Sequence, residues 1–167
     1  PDERVAYLKM RRAMAGVTED EASDDEMPTD LNLSQERYAE MAAVENLILT
    51  ITRGGSGKLS SSHDYPVRGR GGMGVTAMDK AMRGGPVVAS FPVEMPDQIM
   101  LVTSNGQSIR CPIDGISFRS RSAGGVRVFN TNGDEKVVSV AYIPDQGDDD
   151  LEEDQAAIDS QPAPEQT

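Results

Sequence analysis

Residues 53–61, RGGSGKLSS, have the residue types of a phosphate-binding loop: glycines, a lysine and serines in close order. A P-loop follows the pattern G-x-x-x-x-G-K-[ST] between a strand and a helix, and its hydroxyl group binds the magnesium ion of the nucleotide. Here Thr52 occupies the first glycine position and Leu59 follows Lys58, so the hydroxyl group is absent. The residues that follow, SSSHDYPVRG, have no helical pattern. We therefore predict a β-turn in which Lys58 starts the return strand, and no nucleotide site.

Arginines recur in pairs at matched positions of two glycine-containing segments. VRGRGGMGV carries Arg68 and Arg70, and FRSRSAGGV carries Arg119 and Arg121. Positive charges on equivalent edges suit contacts with DNA phosphates, which position DNA without reading its sequence. Glycines beside the first pair would let a phosphate backbone approach closely. The complete set of predicted DNA-contacting residues is Arg53, Lys58, Arg68, Arg70, Arg110, Arg119, Arg121 and Arg127.

The alternative is that these arginines are ordinary solvated charges or form ion pairs with Asp64, Asp79 and Asp114. Other chemistry has little support in the sequence. The single His63 has no second histidine or cysteine nearby, which argues against a zinc site, and the single Cys111 excludes an internal disulfide. Because no paired acid and base or nucleophile constellation is recognisable, we name no catalytic residue and expect no cofactor or metal.

The net charge of −12 is an average over three different regions. Residues 1–45 have a net charge of −7, residues 46–143 have +4, and residues 144–167 have −9. The middle region is therefore the one suited to a polyanionic partner. No apolar run approaches the roughly 20 residues that span a bilayer, so we expect no membrane partner.

Two helices are predicted before the strands. Residues 2–15 form the first, because acidic residues open it and arginines lie late in it. The second begins after the N-cap residue Ser34 and continues to about Glu45. Its Tyr38, Met41 and Ala42 are expected to face a core. The acidic stretch between the helices is predicted to be a flexible linker.

The strand region contains two copies of one unit. Six runs rich in β-branched residues are separated by Gly, Pro and Asp and by the pairs Asn105-Gly106 and Asn132-Gly133, which predict hairpin turns. At an offset of 51 residues, Thr52 aligns with Thr103, Gly55 with Gly106, and the arginine pairs with each other. A period near 50 with four strands per unit is typical of a propeller-type blade.

We thus predict an all-β, propeller-like chain of two four-stranded repeats, with short helices before them and a disordered acidic tail after them. The expected divisions are a helical and acidic linker or insertion at 1–45, blades at 46–95 and 96–143, and the tail at 144–167. At least three blades are normally needed for a stable array. Pro1 and the two-blade count together suggest a piece of a longer protein.

These residues closely resemble the end of the C-terminal domain of the DNA gyrase A subunit. The resemblance is carried by ILTITRGGSGK, YPVRGRGGMGV, GPVVASFPV, DQIMLVTSNGQSIRCPIDGISFRSRSAGGVRVF and EKVVSVAYI, and it covers about residues 46–143. It implies the last two blades of a six-bladed β-pinwheel around which gyrase wraps DNA, so that ATP hydrolysis yields negative supercoiling. Residues 1–45 resemble an insertion between blades found in some bacterial gyrases.

The implied partners are double-stranded DNA, the gyrase B subunit and the rest of the gyrase A subunit, in a heterotetramer that lies in the cytoplasm with the nucleoid. ATP and magnesium would act in other parts of that assembly.

The attacking tyrosine of the family lies upstream, since no tyrosine here has its arginine-tyrosine-threonine context. Leu59 stands where the family usually has a basic residue, which weakens one DNA contact. The glutamine-arginine-glycine-rich box that distinguishes gyrase from topoisomerase IV is absent, so a topoisomerase IV domain stays an alternative, as does a propeller scaffold that binds protein.

Overall fold

In the computed structural model, residues 2–16, 33–79 and 84–145 are described. Two helices, α1 (Asp2–Met14) and α2 (Gln35–Ala43), precede the sheets, as predicted. The Ser34 hydroxyl caps α2 by accepting a hydrogen bond from the Arg37 amide at 3.2 Å. Most of the predicted linker and residues 146–167 of the predicted tail lie outside the described residues.

The two helices share a small apolar cluster. It is formed by Tyr7, Leu8 and Met41, with Tyr38 packed against it, and the rings of Tyr7 and Tyr38 stack at 4.9 Å between centroids. Ala42 is exposed, so the prediction that it faces a core is wrong. The Nε2 atom of His63, from the 3₁₀ turn Ser62–Asp64, lies 2.9 Å from the carbonyl oxygen of Met41. This contact fixes the helices to the sheet region.

Within residues 33–79 and 84–145, seven strands form two antiparallel sheets, which confirms the predicted all-β class. The first sheet has the order β3-β1-β2-β6 and the second the order β5-β4-β7. The strand bounds are β1 Leu47–Thr52, β2 Ser56–Ser61, β3 Val87–Val93, β4 Gln98–Thr103, β5 Ser108–Pro112, β6 Val126–Arg127 and β7 Val137–Ile143. One core joins the sheets, because the alternate residues Leu49 and Ile51 of β1 and Ile99 and Leu101 of β4 are fully buried in the same cluster.

The sheets repeat the same local geometry at the predicted offset. The pairing of β1 with β3 shifts between Ile51 and Thr52, and that of β4 with β7 shifts between Val102 and Thr103. After each shift a glycine with positive φ closes a turn, Gly55 at 79° and Gly106 at 80°. In each turn this glycine's amide donates to the carbonyl oxygen of the preceding threonine, at 3.1 and 3.0 Å. The two repeats are therefore two copies of one structural unit.

The strands are shared between the repeats in a way that differs from the prediction of four strands per unit. β6 belongs to the second repeat in sequence, yet it pairs with β2 of the first, with Ser56 opposite Arg127 and Gly57 opposite Val126. The first sheet gains its fourth strand from the second repeat, and among the described residues the second sheet has three strands. The blades are consequently interlocked through their backbones.

One predicted hairpin does not form. Asn105-Gly106 does connect the paired strands β4 and β5. Asn132-Gly133 forms a turn, in which the Glu135 amide donates to the Asn132 carbonyl oxygen at 2.9 Å, but the flanking strands pair elsewhere. Within the described ranges, no helix is long and apolar enough to cross a membrane.

Candidate nucleic-acid interface

The RGGSGK segment is a turn packed against protein, as predicted. Gly55 accepts hydrogen bonds at its carbonyl oxygen from the amides of Val128 and Phe129, at 2.9 and 3.1 Å. A Cβ atom on Gly55 would collide with the Phe129 carbonyl oxygen, and one on Gly54 would collide with the Gly84 carbonyl oxygen. The glycines are needed because other main-chain segments approach them closely.

Lys58 does not point to solvent, which corrects its place in the predicted DNA-contacting set. Its side chain is fully buried, and its Nζ atom donates to three carbonyl oxygens: Ser120 at 2.7 Å, Arg121 at 2.5 Å and Ala123 at 2.6 Å. Burial lowers the pKa of Lys58 to about 8, against the opposing attraction of Asp64. The residue is thus a structural cation between the two repeats, protonated at neutral pH and unavailable to DNA.

Arg119 and Arg121 lie in the loop that Lys58 holds. The Arg119 amide donates to the Leu59 carbonyl oxygen at 2.8 Å, beside a parallel bridge between Leu59 and Phe118. The Arg121 amide donates to the Asp64 carboxylate at 2.6 Å, and its Nε donates to the Asp64 carbonyl oxygen at 3.0 Å. Both arginines are half-buried, and the Arg121 guanidinium is held by the first repeat through Asp64.

Arg68 and Arg70 are in a different environment from their counterparts in the second repeat. Both are exposed, and a Cβ atom on Gly69 or on Gly71 would meet no atom within 4 Å. The neighbouring apolar side chain of Met73 is also fully exposed. The segment therefore leaves its arginines and its main chain open to a ligand, which is what close approach of a phosphate backbone requires.

The remaining predicted residues, Arg53, Arg110 and Arg127, are all exposed. Arg53 lines an open groove of about 290 Å³ between the repeats, together with Lys136. Sequence reasoning missed Lys136 because its counterpart in the first repeat is the uncharged Pro86. The two positions are equivalent, since the Arg53 amide donates to the Pro86 carbonyl oxygen and the Ser104 amide donates to that of Lys136. The available signal was that Lys136 directly precedes strand β7.

Arg11 of α1 is a second basic residue that the sequence did not single out. Its guanidinium lies 4.8 Å from the centroid of the Phe118 ring, and its Nε donates to the Glu45 carboxylate at 3.1 Å. This places the first helix across the junction of the repeats, because Phe118 belongs to the second repeat and α1 also packs near the 3₁₀ turn of the first. Among the described residues, no group of three or more His, Cys, Asp or Glu side chains is arranged to hold a metal ion.

The chain matches one family model, that of the DNA gyrase C-terminal domain, a beta-propeller, over residues 46–93 and 97–144. It is 41% identical to the DNA gyrase A subunit of Granulibacter bethesdensis over 167 aligned positions, covering 89% of this chain and 18% of that protein. The DNA gyrase A subunit of Rickettsia bellii is 37% identical, covering 91% of this chain and 17% of that protein. The chain thus spans less than a fifth of the length of these relatives.

Two solved structures share the fold. The structure of a DNA gyrase A C-terminal domain superposes with a TM-score of 0.55 at 25% identity, covering 59% of this chain and 34% of that chain. The crystal structure of the C-terminal domain of a DNA topoisomerase IV has the same TM-score at 21% identity, covering 68% of this chain and 35% of that chain.

Proposed function

Because this chain belongs to the DNA gyrase C-terminal domain family, we propose that it binds the phosphate backbone of double-stranded DNA along the rim of its blades and helps to wrap it. The observation that carries the proposal is the exposed segment around Arg68 and Arg70, where two arginines stand among glycines with open space beside them. Arginines in this setting can donate to phosphate oxygens, and the bare main chain allows DNA to come close.

The proposed contact surface differs from the one predicted from sequence. It comprises the exposed residues Arg53, Arg68, Arg70, Arg110, Arg127 and Lys136, with Arg119 and Arg121 contributing from their half-buried loop. Lys58 is left out because its ammonium is fully buried. None of these contacts is proposed to read bases, so affinity should depend on salt and hardly on sequence.

In the whole protein, this module would hold a wrapped DNA segment while ATP-dependent strand passage generates negative supercoils. Its partners would be the gyrase B subunit and the rest of the gyrase A subunit, in the cytoplasm with the nucleoid. ATP and magnesium would act elsewhere in the assembly, and the chemical step would be performed by residues outside this chain. A gyrase is favoured over a topoisomerase IV because the curated relatives described above are gyrase A subunits at about 40% identity.

The test is the affinity of the full 167-residue chain for a short duplex, measured by fluorescence anisotropy across a salt series. Arg68→Glu with Arg70→Glu should weaken binding to all sequences alike and lower the slope of log K against log salt by about 2, one unit for each lost phosphate contact. Arg4→Glu with Lys9→Glu is the matched control, since both residues are exposed on α1 and the change in charge is the same.

Equal losses in the two double variants would mean that only net charge matters, and the proposed surface would be wrong. Absence of binding by the unaltered chain at low salt would instead favour a scaffold that binds protein. Preserved circular dichroism spectra in both variants would show that neither result comes from unfolding.

A further inference from the structure

The buried Lys58 ammonium joins the two repeats through one turn of the chain. Its three acceptors, the carbonyl oxygens of Ser120, Arg121 and Ala123, lie within four consecutive residues and at 2.5–2.7 Å from Nζ. A lysine ammonium has three N–H donors, so each carbonyl oxygen can receive one. The hydrogen bonds thus define the position of the turn as well as its distance from the first repeat.

The turn carries the arginine pair of the second repeat. Arg119 precedes it and is fixed by its amide to Leu59, and the carbonyl oxygen of Arg121 is itself one of the three acceptors. The main chain on both sides of the Arg121 side chain is therefore held by the first repeat. The position of the Arg121 guanidinium therefore depends on the position of the turn at residues 120–123.

We propose that Lys58 is a positioning residue for the nucleic-acid surface: its ammonium holds the turn at residues 120–123 against the first repeat and thereby sets the places of Arg119 and Arg121. The inference rests on the proposed function, because it assigns these arginines to DNA. It gives Lys58 a role distinct from the direct phosphate contact that its sequence suggests.

The second repeat supplies an internal comparison. At the offset of 51 residues, the counterpart of Lys58 is Ile109 on β5, and among the described residues β5 pairs only with β4. Lys58 therefore lies on β2, the strand that receives the loop at residues 120–123 from the next repeat. Ile109 lies on β5, which receives no such loop within the described chain. The lysine is thus found where a loop docks, and it is not a general feature of this strand position.

The charges around Lys58 argue against a purely stabilising role. Asp64 attracts the ammonium, while Arg119 and Arg121 repel it, and burial removes it from water. An apolar residue at this position would avoid both the desolvation and the repulsion. The ammonium does what an apolar side chain cannot do, since it aims three directional hydrogen bonds at one turn of main chain.

The test is a double-mutant cycle on DNA affinity with the full chain. Lys58→Met keeps the stem and removes the charge, and we expect about three- to tenfold weaker binding, comparable to removing one or both arginines. In an Arg119→Ala, Arg121→Ala background the same change should have no further effect, whereas in an Arg68→Ala, Arg70→Ala background it should act in full. Lys9→Met, an exposed lysine on α1, is the charge-matched control.

Amide hydrogen exchange separates the inference from the proposed function. Lys58→Met should lower the protection of residues 119–126, and Lys9→Met should not. Loss of protection with unchanged DNA affinity would overturn the positioning role, and so would unchanged protection. If the unaltered chain fails to bind DNA, the proposed function fails, while the exchange result still decides whether Lys58 holds the turn.

A second measurement needs no change at Lys58 and covers the case in which the methionine variant does not fold. In ¹⁵N spectra of the unaltered chain at pH 6, the Lys58 ammonium should give a slowly exchanging signal, because all three of its protons are hydrogen-bonded. On addition of a DNA duplex, the Nε signals of Arg119 and Arg121 should shift and the Lys58 signal should keep its protection. A rapidly exchanging Lys58 ammonium, or arginine signals that ignore DNA, would contradict the inference.

Discussion

Replacing Gly55 by alanine tests the docking of one repeat on the other. Gly55 and its counterpart Gly106 have the same φ, 79° and 80°, in the same kind of turn. Alanine in this left-handed region costs about 1 kcal/mol of folding free energy at either position. Only at Gly55 would the new Cβ atom also collide with a main-chain oxygen, that of Phe129, whereas at Gly106 it would meet nothing within 4 Å.

The collision has a further cost at Gly55. To relieve it, residues 128–129 must move away, and the two hydrogen bonds from the Val128 and Phe129 amides to the Gly55 carbonyl oxygen would be lost. At about 1 kcal/mol for each hydrogen bond, Gly55→Ala should destabilise the fold by about 3 kcal/mol, against about 1 kcal/mol for Gly106→Ala.

Urea denaturation followed by circular dichroism measures this difference, since the chain has no tryptophan to report by fluorescence. Amide hydrogen exchange shows where the structure is loosened. The protection of residues 126–129 should fall in the Gly55→Ala variant and remain in the Gly106→Ala variant. Equal destabilisation by the two alanines, with unchanged protection of residues 126–129, would refute the view that this glycine serves the contact between repeats.

The other predictions concern local contacts. The hydrogen bond to Asp97 raises the pKa of Tyr142 to about 12. The stabilisation from this hydrogen bond should therefore be present below pH 10 and lost as pH rises through about 12. In an ultraviolet titration, Asp97→Asn should return one tyrosine to a midpoint near 10. Arg11→Ala should lower the free energy of unfolding by about 1 kcal/mol in urea titrations, because it removes the cation from the Phe118 ring and the hydrogen bond to Glu45. Ser34→Ala should cost about 1 kcal/mol by removing the cap of α2, and helical circular dichroism should fall.

Each of these changes has a clear contrary outcome. Burial also raises the pKa of Tyr7, so the unaltered chain should show two tyrosines that titrate at high pH. A Tyr142→Phe variant should lose one of the two, and an unchanged high-pH amplitude would contradict the assignment to Tyr142. For Arg11, the exposed Arg4 on the same helix is the control, and equal effects of the two alanine variants would mean that neither the Phe118 nor the Glu45 contact contributes. For Ser34, an unchanged helical signal would mean that packing of Tyr38 and Met41 alone holds α2.

The elements and the repeat could be predicted from sequence because their signals are local. The cap at Ser34, the β-branched runs and the matched glycines after Thr52 and Thr103 each report on a few neighbouring residues, and the structure confirms them. The partner of β6 could not be predicted in this way. Two residues, Val126 and Arg127, have no periodicity of their own, and their pairing with β2 depends on close approach at Gly57.

The burial of Lys58 depends on still more distant residues. Three carbonyl oxygens that follow it by 62–65 positions converge on its ammonium, and no pattern around residue 58 indicates them. One signal was present: its counterpart at the repeat offset is the apolar Ile109, as is typical of an inward-facing position. The exposure of Arg68 and Arg70 was likewise not fixed by sequence, since Arg119 and Arg121 have the same spacing and are half-buried.

The most direct test of the central claim is the salt dependence of DNA binding by the unaltered chain, measured with two duplexes of equal length and unrelated sequence. We expect nearly equal affinities for the two duplexes and a linear fall of log K with log salt, with a slope that reports several phosphate contacts at about 0.9 for each. An affinity that ignores salt, or a strong preference for one of the duplexes, would contradict backbone-directed binding along the rim.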